Sequence, residues 1–199
     1  MFALNSRLLL IAIVLLLATH VRAGDVPAKP KSHTSRKIEG WTVRVDDRLL
    51  EPANADTAKK ALRFLENRLY EITVVVPKDK VKKLQTVTIQ LDLTHGKLVP
   101  MQYHPSKGWL KANGYSTDLE KCVHLPRAGD VATKRNINEQ PWCILHELAH
   151  AYHDQVLGFD NVRIREAYEN YKKSGHGDKT LLFNGKRVRH YALTNEKEF

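Results

Sequence analysis

The chain has 199 residues, is 27% charged and 42% hydrophobic, and carries a formal net charge of +10. That composition excludes a disordered or fibrous protein, and the length suits one domain with a real core. Its Lys and Arg residues are scattered without aromatic interleaving, so the charge reads as a solvated basic surface and no nucleic-acid partner is expected.

Arg7 precedes an unbroken apolar run from Leu8 to Ala18, followed by Val21, Arg22 and Ala23. This is the pattern of a signal peptide over residues 1–23, cleaved after Ala23. The run falls short of the ~20 apolar residues that a membrane span needs. The expectation is therefore a secreted or periplasmic, in any case extracytoplasmic, protein with no stable membrane span after cleavage. Residues 24–37 are rich in Pro, Lys and Ser and read as a disordered leader.

A first strand is expected over Ile38 to Val45. A helix capped by Asp56 or Thr57 should run to Ile72, with Ala58, Ala61, Leu62, Leu65 and Leu69 on one face. Lys78 to Leu84 is a short basic turn or helix after Pro77. Val87 to Leu93 alternates as a half-buried strand, and Gln102 to His104 is a short extended piece. Gly108, Asn113 and Gly114 mark a loop. Lys121 to Leu125 is a further strand, placed as an edge strand beside a cleft, and Arg127 to Gln140 is loop-like. A helix opens at Pro141 and stops at Gly158. A second helix covers Ile164 to Lys173, and Asn184-Gly185 marks a hairpin between Leu181 and Val188. The order implies an α+β domain with a small mixed or mainly antiparallel sheet.

Chemistry concentrates between Trp142 and His153. His146 and His150 are four residues apart, which on a helix places both imidazoles on one face, one turn apart, as needed to chelate one tetrahedral zinc ion. Glu147 lies about 100° round the helix from His146, where it can act on a water at the metal without ligating the metal. The alternative for the motif is an amphipathic helix with solvated histidines; the apolar flanks Trp142, Ile144 and Leu145 argue against it. His153 reads as a helix-surface residue or one close behind the ligands. Asp154 is either an acceptor that holds a ligand histidine or an exposed helix carboxylate.

The third ligand is open on spacing alone. A metzincin would need a histidine where Val156 stands, so that pattern fails. Glu169, 19 residues after His150, and Glu198, 48 residues after it, both remain. The two cysteines, Cys122 and Cys143, make no CxxC pattern. Export would permit a disulfide between them, and spacing leaves that bond and two buried thiols both open.

His146-Glu-Leu-Ala-His150, taken with Tyr191-Ala-Leu-Thr-Asn-Glu-Lys-Glu198-Phe199, resembles the catalytic domain of anthrax lethal-factor-like metallopeptidases, the group that includes bacterial Pro-Pro endopeptidases. In that family a Tyr precedes the ligand Glu by seven residues, as Tyr191 precedes Glu198. The resemblance covers residues 121–199. It implies a zincin-like fold over residues 38–199, a sheet packed on the HExxH helix, Glu198 as third zinc ligand and Tyr191 as the residue that hydrogen-bonds the developing oxyanion. In that family a helix continues beyond the ligand Glu, so the expectation is a domain cut short at its C-terminal end.

The expected function is that of a secreted zinc-dependent peptidase acting on a peptide or protein substrate, with Zn2+ as cofactor, Glu147 and Tyr191 as catalytic residues, and His146, His150 and Glu198 as metal ligands. A catalytically inactive zinc- or peptide-binding homologue is the alternative. A basic polyanion-binding protein is a third class that rests on charge alone.

Overall fold

The computed structural model describes residues 26–199, so the expected signal peptide lies outside the described residues. A five-stranded mixed sheet has the order β1-β2-β3-β5-β4. Its strands are β1 (His33–Ile38), β2 (Trp41–Asp46), β3 (Thr88–Leu91), β4 (Gln102–Tyr103) and β5 (Cys122–Leu125). The pairs β1–β2 and β4–β5 are antiparallel, whereas β2–β3 and β3–β5 are parallel.

Several expectations need correction. The first strand is a hairpin. Glu39 and Gly40 take φ of 48° and 89°, and this two-residue turn folds His33–Ile38 back onto Trp41–Asp46. The leader expected to reach Lys37 therefore gives way to sheet at His33. That stretch is almost wholly exposed, which is why its composition read as unstructured. The edge strand is β4, with β5 one place further in, because a two-residue strand was too short to register as a sheet member. The loop expected over Arg127 to Gln140 contains a short helix, α4 (Ala128–Val131), anchored by buried Ala128 and Val131.

Side chains alternate across the sheet, and the two faces differ in kind. Val43, Val45, Ile89, Leu91, Val123, Leu125 and Tyr103 are buried in the main core. Helix α1 (Ala55–Val75) packs there with Ala58, Ala61, Phe64, Leu65, Leu69 and Ile72, a stripe of helical period. Helix α2 (Lys78–Leu84) adds Val81 and Leu84. Helix α5 (Cys143–Tyr152) adds Ile144, Leu148 and Ala151. At about 25 cal/mol per Å² of apolar surface removed from water, each fully buried Leu or Ile contributes roughly 1.5–3 kcal/mol.

The opposite face carries Arg44, Gln90 and His124, aligned across β2, β3 and β5. Residues 94–98 and 104–121 cover it, including helix α3 (Lys107–Ala112), which takes in Gly108 where a loop was expected and whose N-cap Ser106 accepts from the Trp109 N–H. Leu110 and Leu119 are buried in this cover, outside the main core. Beyond α5 the helix widens over His153–Leu157 and ends at Gly158, φ 79°. Helix α6 (Val162–Ser174) starts where Asn161 Oδ1 accepts from the N–H groups of Arg163 and Ile164, and it stops at Gly175 in the left-handed region. Strands β6 (Thr180–Leu181) and β7 (Arg187–Val188) form the expected hairpin.

Cys122 and Cys143 are separate thiols. Burial pushes Cys122 up to about 11, against the opposing charge of Arg44. No helix among the described residues is long and apolar enough to cross a membrane.

Candidate metal centre

Helix α5 presents His146, Glu147 and His150 because the opposite stripe, Ile144, Leu148 and Ala151, is locked into the core. The Nε2 atoms of His146 and His150 lie 3.1 Å apart. Glu198 Oε2 lies 3.3 Å from His146 Nε2 and 3.5 Å from His150 Nε2. Ligand atoms around a tetrahedral zinc ion with bonds of ~2.0–2.1 Å are separated by about 3.3 Å. The three donors therefore match the edges of one coordination site. Glu198 Oε2 is also buried and makes no directed hydrogen bond despite its two close nitrogens. An acceptor aimed at imidazole nitrogens without bonding to them suits a shared cation. These residues form a group that could hold a metal ion.

Glu198 is held there by its surroundings. Phe199 packs on the rings of Tyr168 and Tyr171 of α6 at 5.9 and 5.5 Å. Glu196 pairs with Arg165 of the same helix at 3.4 Å, and Lys197 sits 4.3 Å over the Phe159 ring. Asn195 Oδ1 accepts from the Glu198 N–H at 3.2 Å. Glu169, the other candidate ligand, stays on α6 and pairs with Lys172 at 2.9 Å. The structure does not bring it to the histidines.

Glu147 faces the same cleft, whose volume is about 350 Å³ and whose lining includes Met101, Tyr103, His146, Tyr191 and Glu198. Its Oε2 accepts a hydrogen bond from the Tyr103 backbone N–H at 2.8 Å. Burial pushes the Glu147 carboxyl up to about 7, the Tyr103 N–H opposes that shift, and the Glu198 charge adds to it. Tyr191, in a 3-10 turn anchored by buried Ala192 and Leu193, puts its ring 6.2 Å from that of His146. Burial, with the nearby charges of Glu198 and Glu147, raises its phenol above the usual value.

Tyr103 is the functional residue that sequence reading missed. Its backbone holds Glu147, while its hydroxyl donates to Asp154 Oδ2 at 2.6 Å and accepts from Gln155 Nε2 at 3.0 Å. Asp154 also pairs with Lys121. Of the two roles considered for Asp154, neither applies: it is not the acceptor behind a ligand histidine, and it is not free in solvent. It ties the end of the ligand helix to the sheet edge. His153 is buried edge-on against Phe159 at 5.0 Å rather than on the helix surface. Along the chain Tyr103 stands out only as the aromatic residue in the middle of the short extended piece Gln102 to His104.

No family model, curated protein or solved structure matches the chain.

Proposed function

We propose that the chain is a zinc-dependent metallopeptidase that hydrolyses peptide bonds in an extended substrate. The observation that carries the proposal is the convergence of three donors 3.1–3.5 Å apart with Glu147 and Tyr191 on one open cleft. A zinc ion on His146, His150 and Glu198 would supply a Lewis acid that brings a water's pKa towards neutrality.

The protein's own groups divide the remaining work. Glu147 takes a proton from the attacking water and passes it to the amide nitrogen that leaves as the amine. The Tyr103 N–H points away from β5 to the open sheet edge and fixes the Glu147 carboxylate from one side. Tyr191 donates its phenolic proton in a hydrogen bond to the substrate carbonyl oxygen as negative charge builds there. The edge of β4 lies along the cleft, where an extended peptide can add to the sheet.

A peptide-library digest with and without a chelator, on wild type and Glu147→Gln, tests the reading. Cleavage that chelator and the variant both abolish, with zinc retained by the variant, is the expected result. Stoichiometric zinc with no cleavage of any peptide would favour a binding module instead.

A further inference from the structure

A second histidine–carboxylate cluster lies on the other face of the sheet, buried under the segments 94–98 and 104–121. Asp92 follows β3 and points to the same face as Gln90 and His124. Its Oδ2 contacts His95 Nδ1 and His124 Nε2, each at 2.7 Å. Its Oδ1 contacts His33 Nε2 at 2.7 Å. The Asp92 and His124 side chains are 0% exposed and that of His95 is 4% exposed. Among the described residues no Lys or Arg pairs with Asp92; its ion-pairing partners are the three imidazoles. A carboxylate taken wholly out of water needs close polar partners, and here they are the rings of His33, His95 and His124 with the Gln90 amide, all converging on one buried group.

We propose that Asp92, His95 and His124 form a second, structural metal site that takes a divalent ion of zinc's class. The donor set is the nitrogen and oxygen mixture that such ions prefer. The three donors come from the end of β3, the turn after it and the middle of β5, so one ion would pin the covering segment to the sheet.

Two of the three donors already have the supports that metal ligands characteristically have. His124 Nδ1 lies 3.3 Å from His104 Nε2, which fixes the ring when Nε2 is the ligating atom. His33 and the Gln90 amide, 3.0 Å from Oδ2, hold the carboxylate. His95 Nε2 is buried without a partner, so that ring is held only through Asp92 and its packing. In the present geometry the two 2.7 Å contacts are hydrogen-bond distances; ligation exchanges those protons to the outer ring nitrogens and opens each contact by about 0.6 Å towards the ~3.3 Å edge of a tetrahedral site. These residues line neither the cleft nor the apolar groove that Val76, Leu84, Leu145 and Ile164 form beside it, which assigns the site to stability and not to turnover.

The test is metal content and Co2+ absorption of the full chain after chelator treatment, repeated with His146→Ala/His150→Ala and with His95→Asn added to that pair. The double variant should keep one equivalent of Zn2+ or Co2+, with tetrahedral Co2+ bands, and the triple variant should lose it. Because both cleft histidines are already removed in the double variant, this result stands or falls apart from the peptidase reading. A folded double variant, judged by circular dichroism, that binds no metal overturns the proposal. So does a triple variant that binds metal as the double variant does. His33→Ala, at the half-exposed rim, removes a support without emptying the core, and at least a tenfold weaker retained site is expected; unchanged affinity there together with full binding in the triple variant leaves the cluster a hydrogen-bonded network and nothing more.

Discussion

In the cleft the side chains of His146 and His150 are 42% and 16% exposed, and Glu198 is 18% exposed. On the opposite face of the same sheet, His95 and His124 are 4% and 0% exposed around a fully buried Asp92. Both groups hold two imidazoles and a carboxylate, so residue type does not separate them. Separation and access do. The cleft donors stand 3.1–3.5 Å apart around a shared point that solvent and substrate can reach. The buried donors stand 2.7 Å from one carboxylate oxygen and do not line the cleft. One arrangement suits turnover, and the other suits fixing a covering loop to a sheet.

The sharpest way to break this contrast is to alter chemistry on one face and read both. Glu147→Gln keeps the shape of the side chain and removes the proton acceptor. Peptide hydrolysis should fall by about 10²–10⁴-fold, the usual worth of a general base, with zinc content and near-UV circular dichroism unchanged. Wild-type turnover in this variant would end the assignment of Glu147. Tyr191→Phe should lower kcat by about 10²–10³-fold while zinc affinity holds, since an oxyanion donor acts on charge that develops only in the reaction. Loss of zinc with kcat preserved would make Tyr191 a structural tyrosine. Glu198→Gln should weaken zinc by at least about tenfold, the lower range seen even when a supporting group behind a ligand is lost, and Glu169→Gln should leave it unchanged. The reverse order would move the third ligand to α6.

Local rules made the cleft's helix legible. The four-residue spacing of His146 and His150 and the apolar stripe between them follow from helical period alone, and Asn161 and Gly175 bracket α6 as capping chemistry requires. Spacing leaves Glu169 and Glu198 both open, and only the resemblance points to Glu198. What brings Glu198 beside the histidines is Phe199 packing at a tilt on Tyr168 and Tyr171, contacts between residues 28 to 31 positions apart that no periodicity encodes. The buried cluster was hidden for a similar reason. Asp92 and His124 meet because β3 and β5 are parallel neighbours, whereas along the chain Asp92 closes an alternating strand and His124 sits in the middle of an apolar one. The β1–β2 hairpin escaped notice because its outer strand is nearly all exposed, so it carries no apolar alternation for a pattern to detect.

The smallest effect is expected at Tyr103, which ties the end of the ligand helix to the sheet edge. Tyr103→Phe keeps the ring in the core and keeps the backbone N–H that Glu147 accepts. It removes the hydrogen bonds of the hydroxyl to Asp154 and Gln155. Asp154 retains Lys121, and Gln155 can turn to water, so neither partner is stranded. The loss should be about 1–2 kcal/mol, or a fall of roughly 2–8 °C in Tm for a chain of this size. If the Tyr103–Asp154 contact aligns β4 for substrate, KM should rise severalfold with kcat nearly unchanged. A fall in Tm with KM untouched would show that the contact holds the fold and leaves the cleft indifferent to it, and the open edge of β4 would then have no part in seating the peptide.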